Sequence, residues 1–178
     1  MAAILVVFGA SGAGKTAALR ALAAARLPGV RCLHFDDVGV PSLDEMSRDH
    51  GGPDTWQAAA TARWIERLLA EPAEIAVLEG QTRPSFVRAA LERAEGAEGA
   101  VARMVLLDCA PAERARRLAG PRGQPELATD RMDAWAAYLR GQADALDIPV
   151  VDTTARTVDA VAAELAVEVE RLRAASRR

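Results

Sequence analysis

Lysine is almost absent from this 178-residue chain: its 22 basic residues include one lysine, Lys15, and the others are arginine. Cysteine is nearly as scarce. Cys32 and Cys109 stand in apolar, strand-like surroundings without C-x-x-C spacing, which argues against a metal or redox role and fits reduced core thiols. No stretch approaches 18 uninterrupted apolar residues, and the short apolar start at Ile4–Phe8 has no basic segment before it. Neither a membrane span nor a signal peptide is expected, and a cytoplasmic location follows. The net charge is −3, and no long arginine run precedes Arg171-Leu172-Arg173 and Arg177-Arg178, so a surface that coats nucleic acid is not expected either. No internal repeat is evident. With 51% hydrophobic and 26% charged residues, the chain suits one compact domain spanning 1–178.

The one lysine lies in Gly9-Ala10-Ser11-Gly12-Ala13-Gly14-Lys15-Thr16, which matches G-x-x-x-x-G-K-S/T. An apolar run, Ile4–Phe8, precedes it, and an Ala/Leu-rich helical stretch from Thr16 to about Arg26 follows, as a phosphate-binding loop requires. Glycines at 9, 12 and 14 free the backbone to turn successive N–H groups around an anion, and the helix adds the positive end of its dipole. Lys15 supplies a compact charge for β- and γ-phosphates, a task the planar fork of arginine fits poorly, and Thr16 offers a hydroxyl to Mg²⁺.

Strand and helix signals alternate beyond that loop. Apolar runs at 4–8, about 31–35, 75–78, 103–107 and 148–151 read as five buried parallel strands. Helical spacing appears at about 15–26, 54–70, 84–94, 111–119, 126–145 and 156–173, with Pro84 and Pro111 near helix starts and Asp54 or Thr55 as a cap. The expected fold is α/β, a three-layer α/β/α sandwich. Segments 37–53 and 119–125, rich in Gly, Pro and charge, read as mobile loops over a site. In such sheets ligands lie beyond the carboxyl ends of the strands, so candidates are sought there.

After strand two come Asp36 and Asp37. A carboxylate there can accept the proton of an attacking hydroxyl or help hold Mg²⁺, and Asp36 is the first choice for both, with Asp37 on the substrate side. His34, before the strand end, reads as a packed strand residue. After strand three, Glu79 follows four apolar residues in Walker-B fashion and is expected to face the metal. Gly80 is expected to let a substrate approach the backbone, and Gln81 and Arg83 to contact it, Arg83 favouring an anionic acceptor. After strand four, Arg114, Arg116, Arg117 and Arg122 surround a Gly120-Pro121 turn and read as a lid over about 111–125; Arg117 and Arg122 are the candidates for stabilising transferred charge. Trp56, Ala60 and Trp64 form a core-facing helical stripe, with Gln57 and Arg63 within reach of an acceptor.

The order of phosphate loop, Asp36 after strand two, Glu79-Gly80 after strand three and Arg117-Leu118-x-x-x-Arg122-Gly123 after strand four resembles the small-molecule kinases of the P-loop superfamily, the gluconate, shikimate and nucleoside-monophosphate kinase group. The resemblance spans nearly the whole chain. It implies a P-loop NTPase strand order 2-3-1-4-5, ATP with Mg²⁺ as donor, and base contacts from the lid arginines and from the turn Asp152-Thr153-Thr154. Gluconate kinases carry a Gly-Asp-x-x-His type of segment where this chain has Phe35–Ser42, and shikimate kinases a triple glycine where it has Glu79-Gly80-Gln81, so the acceptor stays open. The expectation is a kinase moving the γ-phosphoryl group to a hydroxyl or phosphate of a small metabolite, anionic if Arg83 contacts it: Lys15, Asp36, Arg117 and Arg122 catalytic; Gly9–Thr16, Arg117 and Thr153 on the nucleotide; Thr16, Asp36 and Glu79 on the metal. The expected partner is a small-molecule acceptor, with no nucleic acid and no membrane, in a monomer or homodimer. A nucleotide-dependent switch or adaptor, or an ATPase without an acceptor, is the alternative.

Overall fold

The computed structural model describes residues 2–70, 74–120 and 122–177. Pro121 of the expected lid turn lies outside them. Five strands, β1 (Ala3–Phe8), β2 (Val30–His34), β3 (Ile75–Gly80), β4 (Val101–Asp108) and β5 (Val150–Asp152), form one sheet in the order 2-3-1-4-5. Every pairing is parallel. Seven α-helices are described: α1 (Lys15–Ala24), α2 (Leu43–Asp49), α3 (Pro53–Ala70), α4 (Pro84–Arg93), α5 (Pro111–Ala119), α6 (Asp130–Ala145) and α7 (Val158–Ser176). The expected architecture and strand order are observed.

The central strand shows why. All six residues of β1 are buried, so it reads as one apolar run, yet its side chains alternate between two cores. Ala3, Leu5 and Val7 pack with α1 and α7, whereas Ile4 and Val6 pack with α3 and α4, and Phe8 meets Leu139 and Ala143 of α6. Helices thus cover both faces. No described helix is long and apolar enough to cross a membrane.

Segment 37–53 differs from the expected open loop. A 3₁₀ turn occupies Phe35–Val38, and α2 follows from Leu43. The signal for α2 is a capping box: Ser42 Oγ accepts from the Glu45 backbone N–H, and the Glu45 carboxylate accepts from the Ser42 N–H at 2.8 Å. Two helix starts also shift. Pro53 is the first residue of α3, its fixed φ suiting that place, which puts Asp54 inside the first turn and not at a cap. The helix expected from about 126 begins at Asp130, because Thr129 caps it by accepting from the Met132 N–H and Pro125–Leu127 forms a separate 3₁₀ turn.

The tryptophan stripe of α3 fixes the position of the 3₁₀ turn. Trp56, Ala60 and Trp64 are buried as expected; Trp56 meets the Phe35 ring edge-on at 6.2 Å, and Trp64 Nε1 donates to the Phe35 carbonyl at 3.0 Å. The Phe35 side chain then fills the space over Gly80, where an added Cβ would overlap the Phe35 Cβ. The packing of Phe35 against Gly80 thus gives a structural reason for glycine at this position. Gly80→Ala is therefore expected to cost about 1–3 kcal/mol by overpacking, read from urea unfolding followed by tryptophan fluorescence. An unchanged midpoint would show that the turn has room to move.

Candidate active site

The expected phosphate loop runs from the buried end of β1 to the start of α1, and the carbonyls of Ala10, Gly12 and Ala13 accept protein donors. Ala10 O accepts from Lys15 Nζ at 3.0 Å and from the Ala13 N–H at 3.2 Å. Gly12 O accepts from Cys109 Sγ at 3.7 Å and Arg117 Nη1 at 3.4 Å, and Ala13 O from Thr153 Oγ1 at 3.0 Å. The end of β4 closes against the loop so tightly that a Cβ at Gly9 would overlap the Leu107 carbonyl oxygen. Lys15 is buried, and loss of water pushes its ammonium down to about 8 against the upward pull of Glu79; Arg122 adds to the lowering and Asp36 opposes it.

Glu79 lies inside β3, one pairing from Val7 of β1 on one side and His34 of β2 on the other. Its Oε1 accepts from Thr16 Oγ1 at 2.9 Å and lies 2.7 Å from His34 Nδ1. Sequence reasoning placed His34 in the packing; it instead lines the cleft. The missing signal is the register that sets it beside Glu79, which no local pattern encodes.

That cleft has a volume of about 1130 Å³ and brings together Thr16, Asp36, Asp37, Glu79, Arg117, Arg122 and Thr153. The remaining candidates lie around it. Gln81 Nε2 donates to Ser11 Oγ at 2.7 Å inside the phosphate loop, and the Gln81 carbonyl accepts from Gln57 Nε2 at 2.9 Å. Arg83 does not line the cleft: its fork is held by Asp54 at 3.0 and 2.5 Å, and its guanidinium lies over the rings of Phe86, Trp135 and Tyr138.

Three of the arginines after β4 divide by their face of α5, and Arg122 lies beyond that helix. Arg114, four residues before the buried Leu118, is itself 3% exposed and ties Asp133, Asp108 and the Cys109 carbonyl together. Arg116 faces outward with Glu113, whose carboxyl Arg116 and Arg117 hold far below the usual carboxylate range. Arg117 reaches inward, donating to Glu113, to the Thr153 carbonyl at 2.6 Å and to Thr153 Oγ1 at 2.9 Å. Arg122 bonds to Gln124 beyond α5 and opens on the cleft.

Oxygen donors suited to a hard cation meet here: the Thr16 hydroxyl and the Glu79 carboxylate, with Asp36 on the same cleft. Among the described residues no group of three His, Cys, Asp or Glu side chains is placed to hold a metal.

Thr153 is 2% exposed and joins β5 to the loop through its hydroxyl. Thr153→Val removes a donor from Ala13 O and an acceptor from Arg117, an expected loss of about 1–3 kcal/mol in denaturant unfolding. Stability equal to the parent would mean that water replaces the hydroxyl at no cost.

No protein-family model matches the chain, and no curated protein matches it. Solved structures do. A tunicamycin resistance protein of Deinococcus radiodurans aligns at TM-score 0.66 and 16% identity, over 95% of this chain and 96% of its own. A shikimate kinase of Acinetobacter baumannii aligns at 0.57 and 17%, over 96% and 94%, and a gluconokinase of Sinorhizobium meliloti at 0.56 and 22%, over 94% and 95%. Over nearly its whole length the chain therefore shares the fold of these proteins.

Proposed function

We propose that the protein is an ATP-dependent phosphotransferase that moves the γ-phosphoryl group to a hydroxyl of a small metabolite. The observation that carries this reading is that the edge of the phosphate loop, the Asp36 carboxylate and the Arg122 guanidinium all open onto one cleft. A nucleotide triphosphate on the loop would place its last phosphoryl group among an acid, a metal-binding pair and a cation. These are the groups that in-line transfer requires. The fold shared with a shikimate kinase and a gluconokinase supports the same reaction class.

In this reading Thr16, Glu79 and Asp36 are the residues that would hold Mg²⁺, which would supply neutralisation of phosphate charge. Lys15 leaves the Ala10 carbonyl for the phosphates, and an anion there offsets the desolvation that lowers its affinity for a proton. Asp36, next along the chain from the Phe35 that Trp56 and Trp64 hold, orients the acceptor hydroxyl and takes its proton. Arg122 meets the charge that develops on the transferred group. Arg117 stays bound to Thr153 and lines the nucleotide side of the cleft. Arg83 is neutralised by Asp54, so its charge gives no reason to require an anionic acceptor.

Release of ADP from Mg-ATP, screened over sugar acids, polyols, nucleosides, nucleotides and aminoglycoside-like alcohols, tests the proposal. One acceptor is expected to stimulate release. Lys15→Ala is expected to lower turnover about 100- to 1000-fold with the circular dichroism spectrum retained; full turnover in a folded variant would remove the loop from the mechanism. Asp36→Asn is expected to lower kcat by about 100-fold or more while ATP affinity changes little. Equal loss of both would make Asp36 a structural residue. Tight ATP binding that no small molecule stimulates would favour a nucleotide-dependent switch.

A further inference from the structure

Glu79 Oε1 is approached by two groups, and their chemistry fixes the state of one. A carboxylate accepts and does not donate, so at 2.7 Å from Oε1 the His34 ring nitrogen Nδ1 must carry a proton. The Thr16 hydroxyl supplies the second donor to the same atom at 2.9 Å. Neither bond uses Oε2. With both donors on Oε1, the carboxylate cannot rotate without losing two hydrogen bonds.

Position reinforces the point. His34 and Glu79 are paired residues of adjacent strands, so the backbone ladder sets their separation and neither depends on a flexible loop. Glu79 is 5% exposed, and a carboxylate so placed needs donors to remain ionised without large cost. The His34 side chain is 30% exposed and lines the cleft, which makes it the edge of this pair that solvent reaches.

We infer that His34 is a positioning residue: as the Nδ1–H tautomer it holds Glu79 Oε1, together with Thr16, so that the Glu79 carboxylate is preset for the divalent cation that accompanies the nucleotide. The inference rests on the proposed ATP–Mg²⁺ chemistry for the cation, but the tautomer and the held carboxylate belong to the free protein. Partners that orient a ligating carboxylate typically contribute about 10- to 100-fold to metal affinity. His34 acts through Glu79 and is not assigned contact with substrate.

Two measurements test this. In metal-free wild-type protein, ¹⁵N spectra of the imidazole are expected to show protonated Nδ1 at a pH where the ring is neutral; an Nε2–H tautomer would overturn the inference. ATP affinity is then measured by calorimetry with Mg²⁺ and with EDTA. His34→Ala is expected to reduce the gain in affinity due to Mg²⁺ by about tenfold or more and to leave metal-free affinity unchanged. His34→Asn, whose Nδ2 can take the place of the imidazole Nδ1, is expected to restore most of that gain. An equal loss with and without Mg²⁺ in the Ala variant, or no rescue by Asn, would overturn the assignment. Should the Ala variant not fold, the Asn variant and the wild-type spectrum still decide. Failure of wild-type protein to bind ATP under any condition would remove the proposed function while leaving the tautomer result to be read by itself.

Discussion

Carbonyl groups decide the geometry of the Gly9–Thr16 loop, the proposed phosphate site. A backbone that presents N–H groups to an anion must send its C=O groups elsewhere, and buried carbonyls without donors are costly. Here the carbonyls of Ala10, Gly12 and Ala13 are met by Lys15, Cys109, Arg117 and Thr153, side chains drawn from α1, the end of β4, α5 and the turn after β5. The loop is therefore a product of the tertiary structure. Its Gly-rich sequence permits the shape, and groups about a hundred residues further along the chain hold it.

The same constraint divides the arginines after β4. Arg117 satisfies carbonyls at Gly12 and Thr153, so its fork is committed to the scaffold and it forms a wall of the cleft. Arg114 is more deeply committed, and a buried guanidinium with partners on two segments, the end of β4 and α6, is costly to disturb. Arg122 is bonded to its near neighbour Gln124 and lies on a connecting segment beyond α5, which leaves its charge at the cleft's disposal. Arginines close in sequence thus take separate places: Arg114, Arg116 and Arg117 by the face of α5 each occupies, and Arg122 by lying beyond the helix end.

Much of this was legible before folding. The phosphate loop, five strands and most helices follow from local pattern, because a fully buried parallel strand must be apolar throughout and a helix must show its period. The acidic residues at the strand ends were legible as well, since topology alone brings strand carboxyl ends to one edge. Two kinds of information were not. The contact of Phe35 with Gly80 and the pairing of His34 with Glu79 are properties of strand adjacency, invisible in either segment by itself. Helix α2 is a different case: the Ser42 and Glu45 capping box was present in the sequence, and the surrounding Gly and Pro concealed it.

Strand order gives Glu79 its place in the site. Because β3 lies between β2 and β1, a side chain near its carboxyl end has the end of β2 on one side and the phosphate loop, which continues β1, on the other. A carboxylate there can bind Thr16 and His34 with one oxygen, whereas the same residue at the end of β4 or β5 would have β2 out of reach. The interleaved order 2-3-1 thus does more than build a sheet with helices on both faces. It joins the strand that leads into Asp36 to the loop that begins α1, through a buried acid whose geometry the backbone ladders enforce. An arrangement of this kind keeps its acid, its hydroxyl and its imidazole in fixed relation in the free protein, which is the preorganisation that the proposed phosphoryl transfer would need.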